Sequence, residues 1–281
     1  MGDWTPSERQ VERQRLRRSR SLRRGGLAAG LTIVVLGLLA IGVASSPGWP
    51  NVRDTYFSWS DAKASFPYVA RGFWVNIQLF LVSEVLILVL ALLVAVVRIF
   101  PSTALAPLRF VAVVYTDIFR GVPTLLVVFL VGFGFPALQL NGLPSDPFWL
   151  GIVALTLSYG AYVSEVMRAG IASVHPSQWA SGRSLGLTYR QTLRRVVLPQ
   201  ALRRVTPPLL NDFISLQKDT ALLSVIGVVE ALRQAQIFSS RHFVFTPYVV
   251  AAAFFIVVTI PLARVTDWLA LRQVRREQGA P

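Results

Sequence analysis

Long apolar stretches alternate along the chain with short charged ones, and the apolar stretches are too long to be the buried faces of a water-soluble fold. A hydrocarbon core about 30 Å thick needs roughly 20 helical residues at about 1.5 Å each. Windows of about that length with few charges fall at 27–44, 73–97, 108–135, 148–171, 207–232 and 248–271. The first holds no charge, the second holds Glu84, and the third opens with Asp117 and Arg120 before turning apolar. The fourth carries Glu165 and Arg168 near its end, and the sixth carries Arg264 and Asp267 near its end. The fifth is the most polar, with Asp212, Lys218, Asp219 and Glu230. In lipid each backbone group needs an internal partner, so these stretches are predicted to be helices. The expected class is an all-α membrane protein with about six transmembrane helices.

Composition agrees. Hydrophobic residues make up 53% of the chain and charged residues 15%, against about 25% charged in an ordinary soluble domain. The net charge of +14 has its own distribution, and only Lys63 and Lys218 are lysines. With the N-terminus inside, the segments on the cytoplasmic side hold 19 basic residues and those outside hold 5. By the positive-inside rule both termini are predicted to be cytoplasmic in a multi-pass protein of the cell membrane. Eight arginines sit in the tail at 1–26, where no aromatic residue interleaves them to stack bases. The tail is therefore expected to lie against anionic headgroups and not on nucleic acid. Residues 272–281 form the expected second tail. The stretch at 27–44, with Val43-Ala44-Ser45 resembling a cleavage site, fits a signal sequence or a retained span. Its length and the long tail before it favour retention.

Several chemistries are excluded. Cysteine is absent, which removes disulfides, thiolate metal sites and cysteine nucleophiles. His175 and His242 are too sparse to suggest a metal site. A P-loop needs Gly-Lys-Ser/Thr, but Lys63 follows Ala62 and Lys218 follows Gln217. No catalytic and no metal residue is expected, and ATP chemistry would have to come from another chain. Gly182-Arg183-Ser184-Leu185-Gly186 fits the pattern of a hydrolase elbow, followed by Asp212 and His242. No buried strand precedes that serine, and His242 is expected on the other side of the membrane.

Residues 172–206 form the one long cytoplasmic loop, and they have helical punctuation. Pro176 is able to start a helix that Gly186 stops. Thr188 and Gln191 then form a capping box, with Leu193, Val196 and Val197 in an apolar stripe against Arg190, Arg194 and Arg195. Pro199 is expected to limit this second helix, and Pro207-Pro208 to open the next span. Two short helices presenting Trp179, Leu185 and arginines suit either a docking surface for a partner protein or an amphipathic pair resting on headgroups. Within the spans, Glu84, Asp212, Lys218 and Asp219 are costly in lipid and face either a ligand path or one another as ion pairs. Arg120, Gly121 and Pro123 are expected to organise the cytoplasmic start of the third span.

Gly186, nine residues, then Val196-Val197-Leu198-Pro199 resembles the second half of the cytoplasmic signature of ABC importer permeases, Glu-Ala-Ala, Gly, nine residues, Ile-x-Leu-Pro. The stretch from Tyr162 to Ile171, Leu198-Pro199-Gln200-Ala201, Gln217-Lys218-Asp219-Thr220-Ala221-Leu222 and Phe119-Arg120-Gly121-Val122-Pro123 resemble the polar amino-acid branch of that family, the histidine and glutamine permease type. The likeness covers about 72–271. It implies a type I core of five helices, to which the span at 27–44 is an addition. It further implies an ABC ATPase dimer that binds the ATP, a second permease subunit making a homo- or heterodimer, an extracytoplasmic substrate-binding protein and an amino-acid substrate. Pro176, Trp179, Arg183, Leu185, Gly186, Leu198 and Pro199 would then carry ATPase docking, and Glu84, Asp212, Lys218 and Asp219 the translocation path. The Glu-Ala-Ala triplet is Ala180-Ser181-Gly182 here, so the acidic residue is missing. A permease for another small polar solute or an ion-coupled secondary transporter are the competing readings.

Overall fold

The computed structural model describes residues 26, 30–100, 102–139, 142 and 145–277, with side chains as far as residue 272. The predicted tail at 1–26 lies outside these apart from Gly26. Two compact units divide the chain, Met1–Thr55 and Tyr56–Pro281. The first holds a shorter apolar helix, α1 (Gly30–Ala44). Residues 27–29 of the predicted first span are outside the described set. A short helix, α2 (Trp49–Tyr56), follows.

Among the described residues of the second unit the regular structure is all helical, with three helices long and apolar enough to cross a membrane and two bent pairs that each pass as one span. The first long helix, α3 (Trp59–Ile99), has 41 residues and begins on Ser58, whose side chain accepts from the Asp61 N–H. At about 1.5 Å per residue it is about 60 Å long, and it starts well before the predicted 73–97. Its polar first third is stabilised by protein contact: Phe66 packs on Phe254 and Tyr68 on Phe238, with ring centroids 5.2 and 6.0 Å apart.

The predicted single span at 108–135 is instead two helices, α4 (Ala106–Gly121) and α5 (Thr124–Ala137), bent by 108°. The cause is Pro123, which drives Val122 into extended backbone (φ −99°, ψ 129°). Arg120 and Gly121 close α4, so this trio makes a break inside a span and not its beginning. The break is fastened to the central helix α6 (Pro147–Ala172). Tyr115 donates to the Leu157 carbonyl at 2.7 Å, Tyr162 to the Arg120 carbonyl at 3.1 Å, and Thr124 and Ser158 share a 2.9 Å hydrogen bond. The main core is built around α6, with Leu150, Ile152, Leu155, Leu79, Ile87 and Leu216 almost fully buried.

After α6 come α7 (Pro176–Ser184) and α8 (Tyr189–Thr192). The chain then passes without a stop through a π turn (Leu193–Val197) into α9 (Leu198–Asp219). Pro199 therefore does not limit the helix, and Pro207 and Pro208 lie inside α9 and do not open it. The wider turn is the physical reason: a proline ring clashes with the carbonyl four residues earlier, and an i→i+5 bond, Leu198 N–H to Leu193 carbonyl, lets the chain accommodate it. A 3₁₀ segment (Thr220–Ile226) ends at Gly227 with φ +96°, and α10 (Ala231–His242) leaves at a 47° bend. The predicted fifth span is thus broken too. The last helix, α11 (Thr246–Glu277), continues through residues 272–277, which were expected to belong to a tail.

Candidate functional site

The loop element is held as one body. His175 caps α7, its Nδ1 accepting from the Ser177 N–H at 3.2 Å. At the other end the Leu187 N–H bonds the Gly182 carbonyl (3.1 Å) and the Gly186 N–H bonds the Arg183 carbonyl (3.0 Å), the Schellman arrangement. It places Gly186 at φ +78°, a conformation that L side chains penalise. Thr188 and Gln191 form the complete capping box of α8. Between the two helices Trp179 stacks on Tyr189 with centroids 5.1 Å apart. Gly182 is buried against Thr192, and a Cβ at 182 would stand 2.6 Å from Thr192 Cγ2.

A small apolar core, Val174, Leu193, Val197 and Ala201 with Phe100, Trp179 and Leu198 packed against it, fixes this body to the ends of α3, α6 and α9. Polar ties add to it. Gln200 donates to Gln178 Oε1 at 3.1 Å, and Arg204 donates to the Ser173 carbonyl and, at 3.1 Å, to its hydroxyl. The seven expected docking residues therefore divide. Trp179 and Leu198 pack inward, whereas Pro176, Arg183, Gly186 and Pro199 are exposed and Leu185 is 80% exposed. Ser184 donates to the Ser181 carbonyl at 2.9 Å on the exposed last turn of α7, and His242 stacks on Phe238; neither takes part in a hydrolase site.

The intramembrane residues also divide. Glu84 on α3 and Asp212 on α9 lie within electrostatic range of each other, and Asp212 Oδ2 is buried without a hydrogen-bond partner. Asp219 accepts from the Tyr159 hydroxyl at 2.8 Å. Glu84, Asp212, Asp219 and Tyr159 thus form one polar group between α3, α6 and α9. Lys218 leaves it: exposed, it lines a groove with Thr259 and Asp267 of α11. None of the four predicted path residues makes an ion pair among the described residues.

Two clusters escape sequence reasoning. Arg98 at the end of α3 donates to Glu165 at 2.8 Å and to Thr116 at 3.2 Å, while Arg168 forks onto the same carboxylate at 2.6 and 3.0 Å. The Glu165–Arg168 spacing is visible in the sequence, but Arg98 is not, because nothing local joins it to α6. At the other end of the bundle Glu230 is fully buried, accepting from the Leu232 and Arg233 N–H groups at 2.9 and 2.8 Å and from Asn76 at 3.0 Å. Asn76 also donates to Thr220 and accepts from the Ala231 N–H, each at 3.0 Å. A lone carboxylate preceding an amphipathic stretch is the available signal for this cap.

A bundle of broken spans, with a braced two-helix element at one end and unpaired carboxylates inside, defines a membrane transport subunit. Residues 87–275 match the family described as the binding-protein-dependent transport system inner membrane component, and the chain belongs to that family. It is 41% identical over 189 residues to the L-cystine transport system permease protein TcyB of Bacillus subtilis, spanning 67% of this chain and 78% of that one. Against the glutamine transport system permease protein GlnP of Escherichia coli it is 33% identical over 208 residues, 74% and 93% of the two chains. Among solved structures, an amino acid ABC transporter with histidines superimposes with a TM-score of 0.67 at 31% identity, covering 73% of this chain and 94% of that one. The inward-facing MetNI methionine ABC transporter, 19% identical with a TM-score of 0.59 over 73% and 96% of the two chains, shares the fold. That fold is the type I ABC importer permease.

Proposed function

We propose that this chain is the transmembrane permease subunit of an ATP-driven importer for a polar amino acid, working with an ABC ATPase dimer, a second permease subunit and an extracytoplasmic binding protein. Both termini are cytoplasmic, α1 is an additional span, and ATP is bound by the partner ATPases, with no cofactor in this chain. The observation that carries this reading is continuity: α8, the π turn, α9 and the 3₁₀ segment run as one helical stretch, Tyr189–Ile226, from the loop body to the intramembrane carboxylates. Closure of the ATPase dimer moves α7 and α8, and α9 carries that movement to Asp212 and Asp219. Glu84, Asp212 and Asp219, each half-buried, offer negative charge to a substrate ammonium, and Tyr159 orients Asp219. Shifting such a transporter from 1:99 to 99:1 between its two states takes about 5.5 kcal/mol of differential binding, which ATP binding supplies through the loop.

The test is uptake of labelled glutamine, cystine, histidine and arginine into proteoliposomes holding the permease, its ATPase and the cognate binding protein. ATP-dependent uptake of one of them, abolished in Gly186→Asp at normal abundance, is expected. Uptake driven by an ion gradient without ATP would replace this reading with a secondary transporter.

A further inference from the structure

Where α3, α6 and the α8–α9 stretch meet beside the loop body, they leave an open groove of about 500 Å³. Fifteen residues line it, and thirteen of them are apolar; the other two are Arg190 and Arg194. These arginines are four residues apart, so they share a helix face. Both are exposed, and neither has an ion-pair partner among the described residues. The groove wall includes Leu92 and Leu202, 55% and 59% exposed, and it extends along α9 from Leu198 to Leu209. The eleven steps of helix from Leu198 to Leu209 rise about 16 Å, close to one leaflet's share, about 15 Å, of a hydrocarbon core about 30 Å thick.

We infer that an anionic phospholipid of the cytoplasmic leaflet occupies this groove, its phosphate on Arg190 and Arg194 and an acyl chain along the apolar wall. The inference rests on the orientation given under the proposed function. Three features select this occupant. The charge is confined to one end of a groove that is otherwise apolar, which is the polarity of a lipid. The apolar length matches one leaflet and not a full span. The guanidinium fork suits phosphate oxygens, to which it donates two parallel hydrogen bonds. A lipid seated here fills the seam between α3 and α9 directly beneath the loop body, so its loss loosens the base of the helix that links α8 to the carboxylates.

The test is native mass spectrometry of the intact complex, released from nanodiscs holding equal phosphatidylglycerol and phosphatidylcholine. Wild type is expected to retain phosphatidylglycerol preferentially. Arg190→Gln with Arg194→Gln is expected to weaken retention about thirtyfold, the effect of removing two charges near an anionic surface. Val96→Trp, placed on the exposed side of the wall, is expected to expel the lipid sterically, and Arg195→Gln with Arg203→Gln, off the groove, to leave it bound. Equal retention by wild type and the Arg190/Arg194 variant overturns the proposal, and this comparison suffices if Val96→Trp does not assemble. Displacement of the lipid by excess inorganic phosphate overturns it in favour of a free anion. Because the chain has no cysteine, Leu202→Cys reports what covers the groove: disulfide formation between two copies overturns the proposal in favour of a protein occupant. Labelling of Leu185→Cys by an impermeant maleimide from outside the cell would refute the orientation separately, since lipid retention in the complex does not depend on it.

Discussion

Gly182→Ala is a small change with a large expected effect. The new methyl would stand 2.6 Å from Thr192 Cγ2, 3.0 Å from its Oγ1 and 3.2 Å from its Cβ. Thr192 is fully buried, and rotating its side chain only exchanges one close atom for another. The contact must therefore be relieved by separating α7 from α8, at the cost of about 1–3 kcal/mol typical of an overfilled core. Thr192→Ala removes both of the nearer atoms and sacrifices no hydrogen bond, because Thr192 Oγ1 has no partner. The double variant should recover most of the loss, giving a coupling of about 1–2 kcal/mol for two residues in contact. Thermal unfolding of the purified complex and protease sensitivity of residues 172–206 measure both arms. Wild-type stability in Gly182→Ala, or a double variant no better than Gly182→Ala alone, would refute the packing argument. The pairing also accounts for one departure from the Glu-Ala-Ala signature: glycine stands at its third position opposite a threonine that leaves no room for alanine.

Three further outcomes follow from the geometry. At Gly186 a Cβ meets nothing within 4 Å, so Gly186→Ala should cost only the backbone penalty, about 1 kcal/mol; Gly186→Asn, better suited to positive φ, should lose less ATPase on co-purification than Gly186→Ala. Glu230→Ala leaves the Leu232 and Arg233 N–H groups and Asn76 without their acceptor, at about 1–3 kcal/mol for each buried group left unpaired, whereas Glu230→Gln keeps part of the cap. Melting temperatures should therefore rank wild type above Glu230→Gln above Glu230→Ala, and a reversed order would remove the network from the account. Arg98→Gln should destabilise more than Arg168→Gln, since the Arg98 side chain is 14% exposed against 36% for Arg168; equal melting temperatures would show that solvent screens both pairs alike.

What the sequence made legible was local. The window at 148–171, placed by its apolar length, differs from α6 by one residue at each end, and Asp146 with Pro147 fixes that start by ordinary capping chemistry. Thr188, Gln191 and Gly186 likewise announce their roles within three or four residues. The break at Pro123 was obscured because Asp117 and Arg120 looked like a charged entrance to one continuous span, while the residues that make a break tolerable, Tyr115, Tyr162 and Ser158, act across the bundle. Pro199 and Pro207-Pro208 read as helix boundaries by propensity, but tertiary packing and a widened turn overrode that preference. Among the charged residues, burial cost drew attention to Glu84, Asp212, Lys218 and Asp219 together, and composition alone could not separate Lys218 from the others, because facing is decided by which helix lies opposite. Arg98 and Glu165 are 67 positions apart, and only the fold makes them neighbours.

The π turn has a consequence of a different kind. It contains one residue more than an α-helical turn, so everything before it is rotated by about 100° relative to an unbroken helix. The direction in which Arg190 and Arg194 face is thus set by how many residues separate them from α9, not by which residues those are. Losing Arg195, exposed within the turn, would remove no apolar residue, yet it would turn the loop body away from its neighbours on α3 and α6. Substitution would be tolerated at exposed Arg195, whereas Leu193 and Val197 are buried in the small core of the loop body. This accounts physically for a signature that specifies a count, nine positions between Gly186 and Val196: here the chain keeps time by length.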